Sequence, residues 1–197
     1  MGHIPSVDNT KDMNIMTFEE TIHNDSNNII CFPKEYTEYR YILKTKGTNP
    51  IIVIGVNPST ANSNELDNTL KRVLSISKYN GYDSFIMCNL YPQRATNPND
   101  LEDNINESLH KENLEAFEWA LKQTSNPVVW AAWGNLIEKR NYLKNCLKDL
   151  IVVSKKYNVK WVIVEETAKG HPHHPLGLKT TDFDKFDIDK YVLDTGL

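Results

Sequence analysis

Apolar residues along this chain cluster in two ways. Four short runs, "PIIVIGV", "SFIMCNL", "VVWAAWG" and "KWVIVEE", are apolar at consecutive positions without alternation. That pattern predicts strands covered on both faces, as in a parallel sheet. Between the runs, apolar residues recur every third or fourth position, which predicts amphipathic helices. Leu70, Val73, Leu74 and Ser77 share one face of a helix from Asp67 to Tyr79, closed by Asn80-Gly81. Leu109, Asn113, Ala116, Phe117, Ala120 and Leu121 do the same from about Asn106 to Thr124, before Asn126-Pro127 breaks the pattern. Leu136, Leu143, Cys146, Leu147, Leu150 and Ile151 mark a long third helix from about Asn135 to Tyr157. Upstream, Ile30, Phe32, Tyr39, Tyr41 and Leu43 alternate around a turn at Pro33-Lys34, predicting an N-terminal hairpin or edge strands. The tail "TDFDKFDIDKYVLDTGL" alternates acids with aromatic and aliphatic residues and is expected to lie along the surface.

Alternation of strand and helix predicts an α/β fold. The expected form is a three-layer α/β/α sandwich with a central four-stranded parallel sheet plus the N-terminal hairpin or edge strands. The first dozen residues are polar and unpatterned, and a flexible N-terminal segment over 1–24 is expected before a single domain over 25–197. In such sheets ligands bind outside the carboxyl ends of the strands. The unusual polar residues fall there. Asn57 follows the first run, Asn89 ends the second, Gly134-Asn135 follows the third, and a histidine cluster follows the fourth.

Bulk properties narrow the picture only slightly. A chain of 197 residues accommodates one domain with a substantial core. A net charge of -4 argues against a protein coated for nonspecific nucleic-acid binding, although a local basic groove remains compatible with it. Cys31, Cys88 and Cys146 are far apart and form no CxxC pair, so a reduced, cytoplasmic protein is expected. No apolar run approaches the length of a membrane span.

Each candidate residue has a plain reading beside a chemical one. Asn57-Pro58-Ser59-Thr60 is either a turn with a capping hydroxyl, or Asn57 orients a water while backbone N–H groups after Pro58 hold an anion. Asn89 either satisfies loose backbone groups at a strand end or presents its paired donor and acceptor to a nucleobase edge. Arg94 in "YPQRATNP" is a solvated loop residue or a phosphate or carboxylate contact. His171, His173 and His174, interleaved with Pro172 and Pro175, admit three readings. They form a surface loop, a zinc site without standard spacing, or a rigid support for developing negative charge. Asp67 caps a helix, and it or Arg72 has a place at the same rim.

Taken in order, "GVNPS", "CNLYPQRATNP" and "HPHHPL" resemble motifs of the uracil-DNA glycosylase superfamily, over roughly residues 50–178. The chain is also similar to an uncharacterised bacterial and phage family of unknown function. The shared features are an N-P-S-T-A turn, a D-x-T-x-x-R helix start and a G-H-P-x-H-P-L loop. The first resemblance implies a DNA glycosylase that flips uracil, or another damaged or modified base, out of DNA and hydrolyses its N-glycosidic bond. It implies that Asn57 positions the hydrolytic water, and that Asn89 reads the base edge. His171 or His174 would support the leaving base anion, His171 being favoured because it keeps the His-Pro pair. Ser59 and Arg94 would contact phosphate, and Tyr91, or Tyr82, would stack on the base. Single-stranded or mispaired DNA is the implied partner, and the protein is expected to act as a monomer. No cofactor and no metal are expected, because three scattered cysteines cannot hold the four-cysteine cluster of some branches. Asn57 stands where the fastest branch has Asp, so slow turnover is expected. The alternatives are a non-catalytic nucleic-acid or nucleotide-binding module and a metal-dependent hydrolase built on the three histidines.

Overall fold

The computed structural model describes residues 28–62 and 64–197; the expected flexible segment, 1–24, lies outside them. Seven strands form one mixed sheet: β1 (Ile29–Phe32), β2 (Ile42–Thr45), β3 (Pro50–Gly55), β4 (Ser84–Asn89), β5 (Val128–Ala131), β6 (Lys160–Ile163) and β7 (Asp184–Lys185). Their spatial order is β1-β2-β4-β3-β5-β6-β7. Neighbours among β4, β3, β5 and β6 pair in parallel, whereas β1–β2, β2–β4 and β6–β7 pair antiparallel. The sheet is therefore wider than four strands plus a hairpin, because β7 adds an edge that the sequence pattern hid.

Four helices lie among the described residues: α1 (Asn68–Tyr79), α2 (Glu107–Leu121), α3 (Asn141–Ser154) and α4 (Ile188–Thr195). Together with the sheet they create two cores, which explains the unbroken apolar runs. Ile52, Ile54, Ile86 and Cys88 turn toward α2, α3 and α4, where they meet Phe117, Leu147 and Tyr191. Ile51, Val53, Phe85 and Met87 turn the other way, toward Leu70, Val73 and Ile76 of α1. Substituting any of these strand residues by a polar one would bury an unpaired group on one face or the other.

Two expectations about the C-terminal half need correction. The long helix over 135–157 is two elements: a 3-10 segment at Gly134–Glu138, then α3 from Asn141. Arg140 between them is extended (φ -135°, ψ 137°). Its guanidinium donates to the carbonyls of Asn99, Leu101 and Glu102, at 3.1, 2.6 and 3.0 Å. Those three bonds to a distant loop outweigh the helical preference of one residue, at most about 1 kcal/mol. The tail also departs from expectation. Lys185 pairs with Val162 in the sheet, and Phe186, Ile188 and Tyr191 are buried. Phe186, Ile188 and Tyr191 are spaced to fill the core, while Asp184, Asp187, Asp189 and Leu193 face water.

Candidate functional site

The carboxyl ends of β3, β4 and β5 and the start of α1 open on one cleft. Gly55 lines it from the end of β3, Val56, Asn57 and Ser59 from the turn that follows, and Met87 and Asn89 from β4. Ala132, Trp133 and Leu136 follow β5, Asp67, Thr69 and Leu70 belong to the α1 start, and His174 and Pro175 come from the late loop. Arg40, on the segment entering β2, completes the wall. Register explains the convergence, because Gly55 pairs with Asn89 and Ile54 with Ala131.

Asn89 is 1% exposed, and neither its Nδ2 nor its Oδ1 has a hydrogen-bond partner among the described residues. A buried amide in that condition costs about 1–3 kcal/mol per unmade group. Its backbone is fixed independently: Asn113 Nδ2 donates to the carbonyls of Asn89 and Leu90 at 2.8 and 3.2 Å. Gly55 leaves the room for this side chain. A Cβ at Gly55 would stand 3.1 Å from Asn89 Oδ1 and 2.7 Å from Met87 Cε.

Asn57 is held differently. Its Nδ2 donates to the carbonyls of Pro58 and Ala95, at 3.0 and 2.7 Å, which leaves Oδ1 as the group for a ligand or water. Ala95 N–H donates back to Pro58 O at 2.9 Å, so the two loops are closed on each other. An aspartate here would face two carbonyl oxygens with no proton to offer. Asn57→Asp is therefore expected to destabilise the protein by roughly 1–3 kcal/mol. It should not accelerate any reaction that the cleft supports. Urea denaturation checks the first statement, and a variant as stable as wild type would refute it.

The histidine loop docks onto the strand ends through Gly134, whose N–H donates to Pro172 O at 2.8 Å. Gly134 has φ +61°, a left-handed conformation that favours glycine. The three histidines do not act together. His171 is 3% exposed, with Nδ1 against the Tyr191 hydroxyl (2.7 Å) and Nε2 against Glu138 Oε1 (3.0 Å). It does not line the cleft, and both ring nitrogens are engaged. His173 Nδ1 lies 3.0 Å from His174 O. His174 does line the cleft. Its Nδ1 accepts a long hydrogen bond from Leu176 N–H (3.4 Å), which places the proton of the neutral ring on Nε2. Burial and the neighbouring His173 lower its pKa, against the opposite pull of Asp67, so the ring is a neutral donor at pH 7. Of the two histidines that the motif resemblance left open, His174 and not the favoured His171 lines the cleft.

Other predicted residues are placed as follows. Ser59 lines the cleft, with its hydroxyl 3.3 Å from that of Thr96. Arg94 does not line it. Its Nη1 donates to the carbonyls of Ser59 and Ala61 (2.6 and 2.9 Å), and its guanidinium lies 4.1 Å from the Tyr36 ring centre. Tyr91 is 0% exposed in the core, donating to Glu102 (2.6 Å) and accepting from Asn106 N–H (3.0 Å). It cannot stack on a cleft ligand. Tyr82 lies against Phe183, just before β4 and so at the opposite edge of the sheet.

Two cleft residues, Trp133 and Arg40, escaped sequence reasoning, whereas Asp67 has the cap and rim positions read for it. Trp133 is the aromatic wall, 0% exposed and donating from Nε1 to the Tyr191 hydroxyl at 3.1 Å. The only signal was a second tryptophan at the end of "VVWAAWG". Asp67 caps α1 through Oδ1, which accepts from Leu70 N–H at 2.9 Å, and its carboxylate reaches the cleft. Arg40 carried no signal at all, sitting in an aromatic stretch read as an edge strand.

Among the described residues no group of three or more His, Cys, Asp or Glu is placed to hold a metal ion. The three cysteines are buried and form no disulfide. No helix of the described residues is long and apolar enough to cross a membrane.

No curated protein and no solved structure matches the chain. Nothing in these comparisons links it to the uracil-DNA glycosylase superfamily, so that likeness rests on the motifs alone. A family model matches residues 40–176, which include the cleft residues from every contributing segment, and the chain belongs to that family, described as Protein of unknown function (DUF1643).

Proposed function

We propose that the cleft receives one nucleobase, extruded from DNA, and hydrolyses its N-glycosidic bond. The observation that carries this reading is the buried carboxamide of Asn89, whose donor and acceptor both lack a protein partner. A base edge offers a matching acceptor and donor side by side. A purely anionic ligand would leave the amide oxygen unsatisfied, and a purely apolar one would leave both groups so.

The reaction needs little nucleophilic power. The C1′–N bond breaks with its electron pair leaving on the base, and the sugar becomes oxocarbenium-like. A water held at Asn57 Oδ1 adds to C1′ and releases a proton, for which Asp67 is the carboxylate in the cleft. The neutral His174 donates from Nε2 toward the charge that develops on the base. Positioning and electrostatic support are the principal terms in such a mechanism. Trp133 supplies an apolar wall that keeps bulk water from the base.

The test is a labelled oligonucleotide bearing one deoxyuridine, single- and double-stranded, followed by alkaline cleavage of abasic sites. Cleavage by the wild type and its loss in Asn89→Ala are the expected results. No cleavage above a no-enzyme control, with DNA binding retained, would replace the enzyme with a non-catalytic base-binding module. The position of Asn57 favours that second reading, since its amide is already tied to two carbonyls and cannot act as a base.

A further inference from the structure

Arg40 is 2% exposed, yet no carboxylate among the described residues lies within the 4.0 Å of an ion pair with it. One of its five N–H groups is accounted for, Nη1 donating to Ala61 O at 2.8 Å. Its Nε is buried with no partner. Arg94 donates to the same Ala61 carbonyl, so a second guanidinium stands close by. Burial, followed by the repulsion of Arg94, lowers the Arg40 pKa to about 10, so it remains charged at neutral pH. Asp67 pulls the other way from beyond ion-pair distance and lines the same cleft.

An isolated buried cation is expensive, and proteins normally pair it. Here the cation lies on the wall of an open cleft, beside the first turn of α1, whose dipole also favours negative charge. Asp67 opposes an anion there, but its Oδ1 is already held by the helix cap. On the opposite count, a neutral base bound to Asn89 would leave Arg40 as uncompensated as before.

We infer that Arg40 forms a phosphate subsite, and that the ligand of the cleft is a nucleotide whose base lies on Asn89 and whose phosphate ester lies on the Arg40 guanidinium. This rests on the base-binding reading for the first contact and is independent of it for the second. It is also independent of catalysis. The phosphate ester comes either from a free nucleotide or from a DNA strand, and the chemistry at Arg40 is the same for both.

The experiment is a calorimetric titration of the full chain with deoxyuridine, deoxyuridine 5′-monophosphate, a short single-stranded oligonucleotide containing one deoxyuridine, and inorganic phosphate. A phosphate-bearing ligand should bind about ten- to a hundred-fold more tightly than deoxyuridine, the gain of one charged contact. A gain for the monophosphate alone identifies free nucleotide, and a gain for the oligonucleotide alone identifies DNA. Arg40→Gln should remove the gain and leave deoxyuridine affinity unchanged. If Arg40→Gln does not fold, Arg40→Lys carries the comparison, because it keeps the charge but loses the planar fork. Equal affinity for nucleoside and nucleotide in the wild type overturns the subsite, as does an undiminished gain in the folded variants. Phosphate binding without any binding of deoxyuridine would leave the subsite standing and remove the base-binding reading.

Discussion

Asn89→Ala is expected to abolish recognition of a base while leaving the protein at least as stable as wild type. Loss of function and gain of stability seldom coincide, and here one geometry produces both. The wild-type amide is 1% exposed with both polar atoms unpartnered, so folding carries their desolvation without any return. Removing them recovers roughly 1–3 kcal/mol for each of the two groups. Against this stands a small cavity, at about 24 cal/mol per Å³ of residual volume. The strand end does not depend on the side chain, because Asn113 holds the Asn89 and Leu90 carbonyls. Thermal denaturation and ligand titration on the same preparation check both halves. A marked fall in melting temperature would mean that the amide serves the fold, and the central argument for a ligand would go with it.

Trp133→Ala should be the most damaging single change at the cleft, costing about 3–5 kcal/mol as a large buried aromatic. The ring is 0% exposed and packs edge-on to Trp161 and Phe186, with centroids 6.4 and 6.3 Å away. Its N–H also holds the Tyr191 hydroxyl, which in turn meets His171, which meets Glu138. The indole therefore links the cleft wall to the histidine loop and to α4. Trp133→Phe keeps most of the volume and loses only the hydrogen bond, so it should cost nearer 1 kcal/mol. Urea midpoints separate the two variants. Equal and small losses in both would show that the wall is supported from elsewhere.

The division between legible and hidden features follows sequence distance. Buried strands announced themselves because Ile51 to Ile54 and Phe85 to Cys88 must be apolar on both faces, whichever helices cover them. Asn57, Asn89 and His174 could be found because a polar residue just beyond such a strand is already at the sheet edge where ligands bind. Arg40 could not be found, since its meaning lies in having no anionic partner among the described residues, at the end of a fold that brings Ala61 and Asp67 to it. Tyr91 lies one residue beyond Leu90 and looks like a rim residue, but Glu102 and Asn106 draw its hydroxyl inward.

The sequence by itself determined the order of buried strands and amphipathic helices, because periodicity is local and each run carries its own burial pattern. It also determined which polar residues follow the strands. Only the tertiary structure decided which of them share a space: His174 rather than His171, Trp133 rather than Tyr91, and Arg40 without any local sign. It also decided that the acidic tail supplies a strand and a buried tyrosine. Whether a polar group is satisfied or exposed to a ligand depends on atoms supplied from far along the chain, and residue spacing does not encode those distances.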